Sequence, residues 1–447
     1  MNHNFKKYIF FWLSQSVSQL GSSMTGFALI IWAYTIDHSA LTISLMSFCN
    51  YVPYIIVSLF AGGFVDGHSK KKIMLVSDSM AAVCSLCVFI FSFLGVLQIW
   101  HIYVVNGVIG FMNAFQSPAS AVAIARIVPE EKLTNVSGMN SFSTNLISVL
   151  TPVIAASLFA FGGLKVILMI DLLSFVAAFL VLLFVISIPE YKCLDGHSEP
   201  EHTEDGRENS FQSSKKNGHG KRMFAGCRQG YVFLVQNRGI FLVVLTMALL
   251  NFFSRLTYEN ILSPMLLARS GNDSLVLGIV NAVMGIGGIV GGIIVSAGKF
   301  SKDHVKMIYV SAGISFLFGD LLMGIGKNVL LWSMAGLAAS LPIPFINAGQ
   351  NVILYQKVPD EMQGRVFAVR NAIQYATVPA GILLGGFLAD HVFEPYMRVG
   401  SPITSFLHIL VGDGAGSGMA VMFLGTGICG SVFSYVSYRK KEIQELR

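Results

Sequence analysis

Charged residues are scarce in this sequence. Asp, Glu, Lys and Arg make up 12% of the 447 residues, whereas a soluble globular domain carries about 25%. So few charged side chains cannot cover a water-exposed surface. Together with the 54% of hydrophobic residues, this shortage excludes an ordinary soluble domain and indicates a chain that lies in a lipid bilayer.

Cysteine is scarce as well. The six cysteines are too few for a disulfide scaffold, and Cys49, Cys84, Cys87 and Cys429 lie within apolar segments, where cysteine behaves as a small hydrophobic residue. Cys84 and Cys87 form a CxxC, but it has no second pair and no His partner. We therefore expect no metal site and no cofactor.

Motifs that carry chemistry are also missing. The chain has no glycine-rich phosphate loop followed by Lys and Ser or Thr, no HExxH and no GxSxG. Neither ATP hydrolysis nor enzymatic catalysis is therefore expected, and we predict no catalytic residues. Lys and Arg exceed Asp and Glu by 30 to 24, but the basic residues punctuate apolar runs, so no nucleic-acid partner is expected.

Long apolar runs dominate the chain. A helix needs about 20 residues to cross the hydrocarbon core of a membrane. Twelve runs reach that length, which predicts an all-α membrane protein with twelve transmembrane helices in two six-helix pseudo-repeat bundles. The predicted spans cover residues 8–36, 41–65, 73–97, 101–125, 136–161, 166–188, 240–267, 275–297, 307–325, 329–355, 367–389 and 418–438.

Basic residues are distributed unequally between the two sets of loops. One set, which includes both termini, contains the runs 70–72 and 439–441. Basic residues resist translocation across the membrane. The distribution therefore predicts a multi-pass protein of the cell membrane with cytoplasmic N- and C-termini, whose outer loops keep only Lys165, Arg269, Lys327 and Arg398.

One long polar segment divides the chain. Residues 190–238 are rich in Glu, Ser, Gly, Lys and His, and such a segment cannot bury enough apolar area to order its backbone. We predict a cytoplasmic linker between an N-terminal bundle, residues 1–189, and a C-terminal bundle, residues 239–447. The end of the linker, from about residue 223, contains aromatic residues and could form a short interfacial helix.

The two halves resemble each other in sequence. Asn113 and Gln116 in the fourth span are matched by Asn347 and Gln350 in the tenth, and each pair is followed by a Val-Pro-acidic-Glu loop. Parallel repeats with a substrate held between them near the midplane are one of the known transporter plans. These four amides could hydrogen-bond a substrate, or they could only bond one another across helices.

The turn between the second and third spans contains Gly62, Asp66, Lys70 and Lys71 at fixed spacing. This pattern resembles the loop signature of the major facilitator superfamily, although Gly67 and Ser69 of the full stretch depart from the basic residue and the glycine expected there. The resemblance implies that Gly62 allows close helix approach. It also implies that Asp66 interacts with a neighbouring helix end and holds the cytoplasmic side closed.

Further segments resemble one branch of that superfamily. Gln15, Gln19 and the stretch 20–22 in the first span, with the segments 393–397 and 411–419 near the end, are similar to Gram-positive drug-efflux proteins related to the macrolide exporters. The resemblance implies export driven by the proton gradient, with a small-molecule substrate and the lipid bilayer as partners; a monomer is expected. Pro152 in the fifth span lacks the glycine neighbours of the drug-antiporter signature.

Ionisable residues inside the predicted spans are candidates for function, because charge in the bilayer is costly. Arg255 and Glu259 are one turn apart, so they share a helix face and can neutralise each other. They are either a structural pair, or Glu259 carries the transported proton or contacts a cationic substrate while Arg255 tunes the pKa of Glu259. Asp171 and Asp78 are further candidates, each with a structural alternative.

Three functions remain open from the sequence. The first is proton-coupled efflux of small amphiphilic compounds such as macrolide-like antibiotics, by alternating access of the two halves. The second is a dedicated exporter of a metabolite or siderophore, or an importer. The third is a transport-inactive membrane partner of another system.

Overall fold

The computed structural model describes residues 3–127, 133–185, 219–297 and 303–447. All regular secondary structure in these ranges is helical, which confirms the predicted all-α class. The first part of the predicted linker, residues 190–218, and the repeated loop 128–131 lie outside the described residues.

The first group of helices ends at residue 185. Its longest element, α5, consists of two arms, because Gly163 has a φ of 64° that a right-handed helix does not allow. This break lies between the predicted fifth and sixth spans. The group comprises α1 (His3–Asp37), α2 (Ala40–Gly67), α3 (Lys70–Leu94), α4 (Ile99–Ile127) and α5 (Leu133–Leu180), which continues into a π-helical turn, Val181–Val185.

The second group contains the remaining elements and begins with a helix at the end of the linker. It comprises α6 (His219–Gln236), α7 (Arg238–Thr257), α8 (Leu262–Arg269), α9 (Ser274–Ala297), α10 (His304–Ile314), α11 (Leu321–Ile325), α12 (Val329–Ser340), α13 (Ile343–Lys357), α14 (Asp360–Leu388), α15 (Glu394–Arg398), α16 (Pro402–Val411), α17 (Ser417–Tyr438) and α18 (Lys441–Gln444).

Nine segments of the described chain are long and apolar enough to cross a membrane. One of them, Phe142–Phe184, contains both arms of α5. Two further helices, α1 and α4, have 35 and 29 residues, which exceeds the length that a bilayer requires. The architecture is therefore that of a multi-pass membrane protein and is consistent with the twelve predicted spans.

Several predicted spans are less regular than the sequence indicates. The seventh is interrupted by a turn over residues 258–261, between α7 and α8, and the tenth by a turn at residues 341–342, between α12 and α13. The sixth and ninth each contain a π-helical segment, Val181–Val185 and Ser315–Asp320, and a third segment, Ala389–Phe393, begins at the last residue of the eleventh. Such segments are common at functional positions in helices. A helix, α6, lies at the end of the linker, where one was expected; its interfacial position remains a prediction.

Helix pairs in the two groups correspond. In the first group α1 packs against α5 and α2 against α4, while in the second α7 packs against α14 and α9 against α12. Each second pair lies six predicted spans after the first. The two groups meet where α2 contacts α14 and where α5 contacts α9.

Glycines allow these two contacts to be close. A Cβ added at Gly278 of α9 would lie 2.7 Å from both the carbonyl oxygen of Pro152 and the Cβ of Ala156 in α5. A Cβ at Gly386 of α14 would meet Leu41 Cα of α2 at 2.9 Å. Larger residues at either position would push the two groups apart.

The buried cores differ between the two faces of the molecule. We define the terminal side as the face where α1 begins and α17 ends, and the far side as the face where α1 ends and α2 begins. On the terminal side, one cluster around Tyr8 and Met74 belongs to the first group and another around Ile240 and Val366 belongs to the second. On the far side, one cluster contains residues of both groups.

Asp390 joins the two groups on the far side. Ser39 Oγ donates to its carboxylate at 2.6 Å, and the backbone N–H groups of Ala40 and Leu41 donate at 3.1 and 2.9 Å. These amides are the first of α2, where the helix dipole favours negative charge. A carboxylate that follows α14 therefore caps a helix of the other group.

We predict that Asp390→Ala opens the far side more often. The substitution removes a helix cap and a favourable charge–dipole interaction, about 1 kcal/mol in total, which corresponds to about a fivefold change in population. The measurement is the rate at which Ile43→Cys, a far-side core position that is 1% exposed, reacts with a maleimide in a protein whose six native cysteines are replaced.

Asp413→Ala serves as the matched control, because this far-side carboxylate is 81% exposed. It should leave the labelling rate unchanged. Equal rates for the Asp390→Ala protein and its parent would contradict a role of Asp390 in holding the groups together.

Candidate functional site

A cavity of about 820 Å³ lies inside the first group of helices. Its walls come from α1, α2, α3, α4 and both arms of α5. The volume is within the range of pockets that bind small molecules, roughly 300–1,000 Å³. Four of the predicted site residues line it, namely Asp78, Asn113, Gln116 and Asp171, and the structure thus brings together side chains from three helices.

Asp171 lies against the wall of this cavity, where it is 2% exposed. Its carboxylate accepts hydrogen bonds of 3.0 Å from the hydroxyls of Ser22 and Thr25 in α1 and of Ser85 in α3. Gly21 leaves room for it, since a Cβ there would lie 3.1 Å from Asp171 Oδ1. Asp171 therefore holds α1, α3 and the second arm of α5 together.

Lys165 lies near Asp171 in the sequence, but its described contact is with an aromatic ring. Its ammonium group lies 5.4 Å from the ring centre of Phe93, whereas the described hydrogen bonds of Asp171 come from hydroxyl groups. A structural role for Asp171 thus rests on neutral donors and not on an ion pair.

Asp78 of α3 has fewer partners. Gln116 Nε2 of α4 donates a hydrogen bond to Asp78 Oδ1, and Gln15 of α1 lies beside the same carboxylate. An ionised carboxylate can accept about four hydrogen bonds. Asp78 therefore faces the cavity with acceptor capacity that these neutral amides leave free.

The charged pair of the seventh span lies where the two groups meet. Arg255 Nη1 contacts Glu259 Oε2, as expected for residues one turn apart, and the two side chains are 34% and 27% exposed. The phenol of Tyr51 in α2 donates to Glu259 Oε1 at 2.8 Å. Glu259 therefore accepts hydrogen bonds from both groups of helices.

The amides of the tenth span lie apart from the cavity. Asn347 is exposed, whereas Gln350 is 5% exposed and its amide nitrogen has no described partner. Neighbouring Asn351 accepts a 2.8 Å hydrogen bond from Arg370 of α14. The matching sequence positions in the two halves therefore have different surroundings.

The predicted gate motif lies at the α2–α3 turn. The surroundings of Gly62 and the side chain of Asp66 lie outside the described part of the structure. Lys70 Nζ donates to the carbonyl of His68 at 3.0 Å, and Lys71 Nζ donates to the carbonyl of Leu183 at 2.9 Å. The described lysines thus connect the turn to the end of the first group, and the gating role remains a prediction.

Sequence reasoning missed two functional contacts. Tyr51 is an uncharged aromatic residue in an apolar span, and no local pattern marks it as a partner of Glu259. Asp390 follows a predicted span by one residue, where an acidic side chain is ordinary. Of the polar residues of α1 that line the cavity, the sequence pattern singled out only Gln15 and Gln19.

This arrangement defines a class of protein. Membrane-spanning helices in two packed groups, a polar cavity and an ion pair where the groups meet are features of a membrane transporter. The sequence model of the Major Facilitator Superfamily matches residues 11–381, and the chain belongs to this family.

Relatives with described activities are similar over nearly the whole chain. Macrolide efflux protein A of Streptococcus pyogenes is 26% identical over 392 residues, which cover 86% of this chain and 90% of that protein. The Staphyloferrin A transporter of Staphylococcus aureus is 22% identical over 386 residues, 85% and 89% of the two chains.

A solved structure has the same fold. A bacterial homologue of the human lysosomal transporter Spinster, in an inward-facing and unoccupied conformation, superposes with a TM-score of 0.65 at 12% identity. The match covers 100% of this chain and 99% of that one. At this identity the similarity shows the fold alone.

We predict that Asp171→Ala lowers the thermal stability of the purified protein. The change leaves the buried hydroxyls of Thr25 and Ser85 without their acceptor, at a cost of about 1–3 kcal/mol for each. The measurement is the melting temperature in detergent. Ser23→Ala, at another position that lines the cavity, is the control, and an equally small effect of both changes would argue against the structural role of Asp171.

Proposed function

We propose that this chain is a proton-coupled exporter of small amphiphilic compounds such as macrolide-like antibiotics, and that it works by alternating access. The observation that carries the proposal is the similarity to a macrolide efflux protein over 86% of the chain. The cavity in the first group supplies a compartment of suitable size, and the intramembrane carboxylates supply proton acceptors.

The proposed orientation places both termini in the cytoplasm. Its support is the concentration of basic residues on the terminal side, including the runs 70–72 and 439–441. The far side then faces outward, and the capping of α2 by Asp390 holds the protein closed to the outside. The described state therefore corresponds to one that takes up substrate from the cytoplasm.

Glu259 is the proposed coupling residue. It faces Arg255 on its own helix and Tyr51 on α2, and Tyr375 of α14 lies nearby. A carboxylate that accepts a proton loses its ion pair with the guanidinium and becomes a weaker acceptor. Protonation of Glu259 would therefore loosen a contact between the two groups, which is how a proton can favour one state of the transporter over the other.

Glu259→Gln is expected to abolish proton-driven export. The amide keeps the size of the side chain but cannot ionise, so the substitution removes the titrating group. The measurement is accumulation of radiolabelled erythromycin in cells that express the wild type, Glu259→Gln or no transporter, with and without a protonophore. Wild-type cells should exclude the drug until the protonophore is added, and the variant should accumulate it at least tenfold more.

Two variants sharpen this assay. Glu442→Gln, an exposed acidic position in α18, is the matched control and should export normally. Tyr51→Phe removes only the hydroxyl that reaches Glu259 and should reduce export partly. Equal accumulation in every strain would refute drug export and favour a transport-inactive partner, whereas normal export by Glu259→Gln would leave export standing and remove Glu259 from the coupling step.

Export of a siderophore is the second candidate. The similarity to the Staphyloferrin A transporter, which extends over 85% of the chain, is the observation that favours it. Secretion of iron-binding activity by cells with and without the transporter distinguishes this function from drug export.

A further inference from the structure

The cavity of the first group contains carboxyl groups without basic neighbours. Among the described residues that line it, Asp78 and Asp171 are acidic and none is Lys, Arg or His. A carboxylate in a low-dielectric site needs a counter-charge or a proton. A molecule that enters this cavity therefore meets two carboxyl groups and, among the described lining residues, no basic side chain.

The two carboxylates are not equivalent. Asp171 accepts hydrogen bonds from three hydroxyl groups, and its position joins three helix segments. The described partners of Asp78 are the amides of Gln116 and Gln15, so Asp78 has more acceptor capacity left than Asp171. A cation that enters the cavity is therefore bound by Asp78, while Asp171 adds to the negative potential.

The remaining wall is rich in uncharged polar groups. Serine hydroxyls line the cavity at positions 16, 18, 22, 23, 117 and 120, and amides line it at Asn50, Asn106 and Asn140. Trp12 also lines it, and its buried indole N–H has no described partner. A buried donor without a partner is costly, and an acceptor oxygen on a ligand would satisfy it.

We propose that this cavity binds a protonated aliphatic amine flanked by hydroxyl or ether oxygens. Asp78 accepts from the ammonium group, the Trp12 indole donates to a ligand oxygen, and the wall hydroxyls and amides bind the rest of the polar group. The inference rests on the proposed export function and names the part of the substrate that it recognises: an amino-polyol or amino-sugar group, with the apolar body of the molecule outside this cavity.

The test is direct binding to the full-length protein purified in detergent, measured by isothermal titration calorimetry. The probes are N-methylglucamine, which has an amine and hydroxyls, sorbitol, which has only hydroxyls, and tetraethylammonium, which is a cation without either donor. N-methylglucamine should bind at least tenfold more tightly than the other two, because a charge-assisted hydrogen bond is stronger than one between neutral groups.

Two variants locate the binding groups. Asp78→Asn should weaken N-methylglucamine at least tenfold and leave sorbitol unchanged. Trp12→Phe keeps an aromatic side chain and removes the N–H, so it should weaken the binding of both N-methylglucamine and sorbitol severalfold without affecting tetraethylammonium. This variant also keeps the test decisive if Asp78→Asn fails to fold. Asp413→Asn is the surface control.

Equal affinity for sorbitol and N-methylglucamine, or unchanged binding by both variants, would overturn the inference. Its failure is separate from failure of the proposed function, because binding is measured without transport. If the wild-type protein binds N-methylglucamine but cells that express it do not export the drug, the export proposal is rejected and the ligand class is not. Normal drug export without any amine selectivity would reject only the ligand class.

Discussion

The structure depends on one constraint, which is that the interior of a bilayer provides no water to solvate charge. Four carboxylates in the helices of the described chain or at their ends meet this constraint with different partners. Asp171 uses three hydroxyls, Asp390 uses the start of a helix, and Glu259 uses a guanidinium and a phenol. Asp320, at 1% exposure, accepts a 2.6 Å hydrogen bond from Thr426. These partners hold particular helices together, so the polar contacts also determine the packing.

Two kinds of contact join the two groups of helices. Close glycine contacts at α5–α9 and α2–α14 supply the surface over which the groups meet. Asp390 and Glu259 supply polar links whose strength depends on charge. Apolar packing changes little with ionisation, whereas an ion pair or a capped helix changes strongly. In the proposed mechanism, protons therefore act on a few charged links and leave the apolar interface unchanged.

The two halves share a sequence pattern, but the matching polar side chains have different surroundings. Asn113 and Gln116 line the polar cavity of the first group, while Gln350 is buried and Asn347 is exposed in the second. A duplicated helix keeps its packing positions because close-packed cores tolerate little change in volume. Side chains that face a cavity are under no such restriction. In the proposed mechanism the first group binds the polar end of the substrate, and the boundary between the groups senses the proton.

The sequence by itself determined the class, the approximate spans and the pairing of Arg255 with Glu259, because apolar length and helical spacing are local properties. It also marked Asp78 and Asp171, since any charge inside a span stands out. Only the tertiary structure decided that Asp171 is satisfied by hydroxyls and that Gln116 reaches Asp78. The same is true of Tyr51 and Asp390, whose partners lie 208 and about 350 residues away in the chain. Such contacts depend on how two groups of helices meet, and no local pattern encodes that.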